Sequence, residues 1–180
     1  MDKTKGWPKL LEACKILKQR GGEVKFKCNF VGSFQNEQDK KKFYNFIDKN
    51  NLKKEMNYLG RKTGKEKNKI LENSDVLVFP TEYPLETFGR VIVEAMMFSL
   101  PVIANGIATI PNIINNNKTG FILKENTGKE IANYLEKLYK NKKLRIKMEK
   151  EGRKRFLKDF ELNKYRNKFK KILKRVLRRI

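Results

Sequence analysis

The chain has 180 residues, of which 39% are hydrophobic, and it carries a formal net charge of +23. That length is enough for one domain with a sizeable core. Histidine is absent, which excludes Ser–His–Asp and Cys–His nucleophile systems and histidine-rich metal sites. Any chemistry must therefore rest on Glu, Lys, Arg, hydroxyl groups and backbone amides.

The first half of the chain alternates between helical and strand patterns. Trp7-Pro8 predicts the start of a helix that stops at Gly21-Gly22. Apolar residues that alternate with polar ones from Val24 to Phe30 predict a strand. A helix around Phe43, Phe46 and Ile47, a short strand at 56–59 and a helix carrying Ile70 and Leu71 follow in order.

The second half continues the alternation. The continuous apolar run VLVFP (76–80) is typical of a buried parallel strand. A helix after Glu86, a strand at 101–105, a short turn at 110–114 and a strand at 121–123 come next, and Thr127 with Glu130 forms a capping-box pattern for a further helix. Strands separated by helices predict an α/β fold, a Rossmann-like parallel sheet with helices on both faces.

Two basic helices close the chain. Residues 141–180 hold 18 Lys or Arg against 4 acidic residues, and no acid follows Leu162. Such a concentration of positive charge attracts nucleic acid, anionic lipid or phosphorylated small molecules. Solvated helix faces in a lysine-rich protein give the same composition. We predict one Rossmann-like domain over 1–160 and a basic helix over 161–180 that packs on it or on a second domain. An apolar stripe in that helix would also suit an anionic membrane surface, through residues 162–180.

Cysteine usage and the chain's start favour a reducing compartment. Cys14 and Cys28 fall on apolar faces and fit no metal or redox spacing, so we expect them to pack in the core. There is no apolar run of 18 residues and no secretory pattern at the start of the sequence, which makes a cytoplasmic location the default expectation.

A glycine-rich stretch, GRKTGKEK (60–67), superficially resembles a phosphate loop. Only three residues separate Gly60 from Gly64-Lys65 where four are needed, and Glu66 takes the hydroxyl position. No GxGxxG pattern is present either. Neither nucleotide-binding motif therefore applies.

Two glutamates, Glu86 and Glu94, frame an apolar run at the predicted start of a helix. If that helix begins near Thr87 or Phe88, its first amides are free to bind an anion, and Gly89 allows close approach. Glu94 would then lie about 12 Å along the helix axis from Glu86. Carboxylates on either side of a diphosphate suit a nucleotide sugar. The plainer interpretation is a charge at a helix start and a second, solvated one.

The segment from Ser74 to Leu123 resembles the nucleotide-sugar half of retaining GT-B glycosyltransferases of family 4. Its E-x7-E motif is matched by Glu86 and Glu94 in E-x-F-G-x-x-x-x-E-A-M. KGWPKLLEA near the start is similar to the family's K-G-x-x-x-L-L-x-A, and YLGR (58–61) to its turn beside the base.

The resemblance implies a role for each matching residue. Glu86 would be the catalytic-site carboxylate that binds donor-sugar hydroxyls, and Glu94 would hold the ribose. Thr87, Phe88, Gly89 and Arg90 at the helix start would bind the diphosphate or the sugar through their amides. Lys5 would neutralise the diphosphate, and Gly60 and Arg61 would lie against the base. No metal and no cofactor is expected, since the lysine takes the leaving-group charge.

Some features depart from the family. Ala108 to Asn112 replaces the usual Gly-Gly-x-Pro-Glu, and Arg90 replaces an apolar residue. The arginine that normally precedes the lysine, and the acceptor-binding half, have no counterpart in this chain. We therefore expect the donor-binding half of a hexosyltransferase of surface-glycan assembly, cytoplasmic or peripheral on the membrane, with little activity without a partner domain. The alternative is a basic nucleic-acid-binding module, for which no recognised motif is present.

Overall fold

The computed structural model describes residues 1–21 and 23–177, and the helices and strands alternate along it as predicted. A 3-10 turn at Lys3–Lys5 precedes the first helix, and a π-helical turn at Phe156–Phe160 precedes the last. The elements in chain order are α1 Trp7–Gln19, β1 Cys28–Val31, α2 Glu37–Lys49, β2 Met56–Gly60, α3 Gly64–Glu72, β3 Leu77–Phe79, α4 Arg90–Met97, β4 Val102–Asn105, α5 Ile110–Ile113, β5 Gly120–Leu123, α6 Gly128–Lys140, α7 Lys142–Arg155 and α8 Leu162–Leu177. Helix α1 ends at Gln19, two residues before Gly21, and Gly22 lies outside the described residues. None of the described helices is long and apolar enough to cross a membrane.

Every pair of bonded strands in the described residues is parallel, which confirms the α/β fold, but the five described strands form two sheets instead of one. Strand β1 pairs with β2, and β4 lies between β3 and β5. A cleft of about 1030 Å³ runs between β1 and β3, so their facing edges do not bond to each other. The ladder of β1 begins only at Cys28, four residues later than the alternating pattern from Val24 predicts.

Helices cover both faces of the three-stranded sheet. The side chain of Ile103 in β4 packs with α1 and α6, whereas its neighbours Val102 and Ala104 pack with α4 and α5. This period of two places apolar residues on both faces of β4, as a buried parallel strand requires.

The third hydrophobic cluster joins α1 and α2 to the β1–β2 pair. Cys14 is fully buried there, with Cys28 packed against the same cluster. A hydrogen bond to the Cys28 thiol, together with burial, raises the pKa of Cys14 well above its usual value. Both cysteines are free thiols; Cys14 lies in the core, as predicted, whereas Cys28 is only partly buried.

Helix α6 begins at the predicted capping residue with a modified box. The Thr127 hydroxyl accepts a hydrogen bond from the Glu130 amide at 3.2 Å. The Glu130 carboxylate reaches past Thr127 and accepts from the amides of residues 124, 125 and 126 at 2.8, 3.0 and 3.1 Å. The box thus fixes the whole loop between β5 and α6 as well as the helix start.

Helix α8 differs from the rest of the fold because every described residue in it is exposed. Helix α7 packs on α4, with the Arg153 guanidinium donating to the Met97 carbonyl. Beyond the π turn, α8 exposes an apolar stripe made of Leu162, Tyr165, Phe169, Ile172, Leu173, Val176 and Leu177. Packing of this stripe on a second domain stays a prediction, and residues 178–180 lie outside the described part of the chain.

Candidate functional site

The N-terminal turn and the loop that follows β3 dock against each other at the carboxyl end of the sheet. The Thr4 carbonyl accepts hydrogen bonds from the Thr81 hydroxyl and from the Glu82 amide. Gly6 has a φ of +80°, and a Cβ atom there would lie 2.2 Å from the Pro80 carbonyl oxygen. Only glycine permits this approach, which explains why a glycine follows Lys5 in the sequence.

This docking brings Lys5 to Glu86, which lies 81 residues later. The Lys5 Nζ atom lies 2.9 Å from Glu86 Oε2, and Glu86 Oε1 accepts a hydrogen bond from the Gly89 amide at 3.1 Å. The same ammonium lies 3.9 Å above the ring of Tyr83, an arrangement that attracts a cation electrostatically. The Glu86 side chain is 12% exposed, and its two hydrogen bonds hold the carboxylate in one orientation at the end of the loop that follows β3.

The helix after Glu86 starts later than the sequence predicts. Gly89 has the left-handed conformation (φ 59°) and caps α4, so Arg90 is the first helical residue. Thr87 and Phe88 precede the helix and are exposed, and the Phe88 ring contacts Phe160 of the π turn with 6.2 Å between centroids. The predicted start at Thr87 or Phe88 is wrong because glycine at 89 allows a tight αL turn there.

This shift moves Glu94 closer to the helix start. Glu94 lies four residues after Arg90, which is about 6 Å along the axis, whereas a helix start at Thr87 or Phe88 would put it about 9–10 Å from the start. The amides of Arg90 and Val91 in the first turn have no intrahelical acceptor. A bound anion there would have a carboxylate to either side, at Glu86 and Glu94.

Glu94 is held by a lysine that sequence reasoning did not single out. The Lys67 Nζ atom of α3 lies 2.6 Å from Glu94 Oε1, and each of the two side chains is 31% exposed. Nothing in a single sequence distinguishes Lys67 from the neighbouring Lys65 and Lys69. Only the packing of α3 beside α4 reveals the pair.

Gly60 is the last residue of β2, and Arg61 begins the loop that follows it. Gly60 has a φ of +67°, and its carbonyl accepts from the Gly32 amide at 2.8 Å. Arg61 is exposed. The loop after β2 and the loop that carries Glu86 both follow the carboxyl end of a strand. The cleft between β1 and β3 is lined by Lys5, Gly32, Lys67 and Val91.

The sequence and fold match known proteins along most of the chain. The family model described as glycosyl transferases group 1 matches residues 1–155. The capsular polysaccharide biosynthesis glycosyltransferase CapM of Staphylococcus aureus is 32% identical over 156 residues, which covers 85% of this chain and 38% of CapM. The chain thus spans less than half the length of this relative.

Two solved structures share the fold. Anabaena HepE in complex with UDP has a TM-score of 0.85 at 20% identity, covering 96% of this chain and 46% of HepE. The C-terminal domain of the group 1 glycosyl transferase LpcC from Francisella tularensis has a TM-score of 0.80 at 22% identity, covering 90% of this chain and 83% of that domain. The fold is therefore GT-B-like, and with a family model that matches 155 of the 180 residues, this chain belongs to the glycosyl transferases group 1 family.

Proposed function

We propose that this chain is the nucleotide-sugar-binding half of a retaining, metal-independent family 4 glycosyltransferase of the hexosyltransferase type. The observation that carries the proposal is the convergence of Lys5, Glu86 and the Gly89 amide at the start of α4. A cation, a fixed carboxylate and free helix-start amides together suit a sugar attached to a diphosphate. Relatives named for capsule and colanic acid biosynthesis support a role in surface-glycan assembly.

In this proposal the donor diphosphate lies over the first turn of α4. The amides of Thr87, Phe88, Gly89 and Arg90 face its oxygens or the sugar, and the helix dipole favours the negative charge. Gly89 is buried and donates to Glu86, so in this position the Glu86 carboxylate and the diphosphate compete for the same donor.

Lys5 has two anionic partners in this scheme. Without a donor its ammonium pairs with Glu86 Oε2. When a diphosphate arrives, Lys5 turns towards it, and Glu86 Oε2 becomes free to accept a hydrogen bond from a sugar hydroxyl. During transfer the bond from the anomeric carbon to the diphosphate oxygen breaks, that carbon bonds to the oxygen of an acceptor hydroxyl, and the proton of the hydroxyl passes to the departing diphosphate. Lys5 stabilises the charge that develops on the leaving oxygen.

Glu94 and the loop after β2 bind the nucleoside. The Glu94 carboxylate accepts from ribose hydroxyls, and the base lies against Gly60 and Arg61. Gly60 supports this assignment because it ends the parallel strand β2, and open α/β sheets bind ligands at the carboxyl ends of their strands. Glu94 supports it through its ion pair with Lys67, which lines the same cleft as Lys5.

We further propose that the stripe of α8 packs against an acceptor-binding domain. The stripe is apolar and exposed, whereas Lys164 on another side of α8 lines a pocket with Glu149 and Lys150 of α7. The stripe thus points away from this domain, and relatives such as CapM are more than twice as long. The chain alone would then bind nucleotide weakly and transfer little or no sugar. Docking of residues 162–180 on an anionic membrane stays a prediction.

The test is a calorimetric screen of UDP, GDP and ADP against the 180-residue chain. Replacing Glu94 with Gln should weaken the affinity for the tightest-binding of these nucleotides by about tenfold, since a charged hydrogen-bond acceptor is lost. Glu72→Gln is the matched control, because it makes the same change at an exposed residue, the last of α3. No binding by any nucleotide, or equal affinities for the two variants, would contradict the proposal.

A further inference from the structure

The ion pair between Lys67 and Glu94 ties α3 to the site. Its 2.6 Å separation is that of a short charge-assisted hydrogen bond. Lys67 is half-buried, whereas Lys65 and Lys69 on the same helix are exposed. The pair is thus a specific feature of the 67 position.

The pair contributes little to folding. Both side chains are 31% exposed, and ion pairs of that kind stabilise proteins by about 0–1 kcal/mol. What the contact does fix is the direction of the Glu94 carboxylate. Its Oε1 atom is occupied by Lys67, which leaves Oε2 to accept from a ligand.

The location of Lys67 connects two parts of the proposed site. Helix α3 begins at Gly64, directly after the loop that contains Gly60 and Arg61. Lys67 therefore links that loop to α4, and its side chain lines the same cleft as Lys5.

We propose that Lys67 is a specificity-determining residue for the nucleoside of the donor. Its ammonium holds Glu94 so that the free oxygen selects a ribose hydroxyl, and the site discriminates against deoxyribonucleotides for that reason. A deoxy ligand leaves the carboxylate oxygen without a donor in a partly desolvated site, which costs binding free energy. This inference rests on the proposed function, because it assumes that Glu94 faces the ribose.

The test measures nucleotide selectivity by calorimetry. The tightest-binding of UDP, GDP and ADP is compared with its 2′-deoxy and 3′-deoxy forms. We expect the wild-type chain to prefer the ribonucleotide by about tenfold over the weaker deoxy form, and Lys67→Met to reduce that ratio to about threefold or less. Lys69→Met removes the same charge from the same helix without touching Glu94 and should keep the wild-type ratio. Lys67→Gln replaces the methionine variant if that variant does not fold.

The selectivity ratio separates this inference from the proposed function. If no nucleotide binds, or if Glu94→Gln leaves the ratio unchanged, the assignment of Glu94 to the ribose is wrong. If Glu94→Gln lowers the ratio while Lys67→Met behaves like Lys69→Met, the proposed function stands and the role of Lys67 is overturned. A lower ratio in both Glu94→Gln and Lys67→Met, with thermal stability unchanged, supports it.

Discussion

Replacing Gly6 with alanine should disrupt the site by displacing the turn that carries Lys5. At a φ of +80° an added Cβ lies 2.2 Å from the Pro80 carbonyl oxygen and 2.7 Å from its carbonyl carbon. The left-handed conformation alone costs a non-glycine residue about 1–2 kcal/mol. The overlap with backbone adds about 1–3 kcal/mol, because it can be relieved only by moving the chain.

The two terms give a loss of about 3 kcal/mol in the free energy of unfolding for Gly6→Ala. In a domain of this size, that corresponds to a melting temperature lowered by about 6–12 °C. Circular dichroism thermal scans measure the shift, and a nucleotide titration below the transition measures whether Lys5 still reaches its ligand. Gly21→Ala is the control, because Gly21 has a similar φ of +86° with no atom within 4 Å of the added Cβ. We expect it to lose only about 1 kcal/mol. Equal melting temperatures for the two variants would refute the steric reasoning.

Two further predictions concern stability: that of the ion pair between Lys3 and Asp39, and that of the loop held by Glu130. The Lys3 ammonium, 2.9 Å from Asp39, holds the pKa of that carboxyl below its ordinary 3.8, so this contribution to stability is present above about pH 4 and is lost as the pH falls through the lowered pKa. Asp39→Asn should flatten the stability curve in that acidic window, and parallel curves for wild type and variant would contradict it. Glu130→Gln should lower the free energy of unfolding in urea by about 2 kcal/mol, because one carboxylate serves three amides. The exposed Glu125→Gln control should change it by less than about 0.5 kcal/mol, and a similar value for both would count against the loop-fixing role.

The sequence predicts the order and type of the elements because the apolar pattern differs clearly between buried strands and amphipathic helices. VLVFP and FIL are both strands of the three-stranded sheet, as continuous apolar runs in a parallel sheet require. The split into two sheets is not predictable in this way. It depends on whether β1 and β3 approach closely enough to bond, and periodicity carries no information on that distance.

The site follows the same division. The resemblance pairs Lys5 with Glu86 as parts of one site, and the structure brings them to 2.9 Å. The predicted start of α4 is two or three residues too early. Glycine at position 89 allows the left-handed conformation that caps the helix, but the sequence alone does not show that Gly89 adopts it. Lys67 could not be found at all, since its importance comes from the packing of two helices.

The most direct test of the account follows individual backbone amides while nucleotide is added. In ¹H–¹⁵N spectra of the labelled chain, the Gly89 and Arg90 amides should shift progressively and saturate with UDP, GDP or ADP, because the diphosphate replaces Glu86 or water at the start of α4. Amides of α8 should stay unchanged, since that helix contributes no residue to the proposed site. Saturable shifts confined to the basic residues of α8, with Gly89 and Arg90 unmoved, would show that the charge of the chain, and not the glutamate pair, binds the anion.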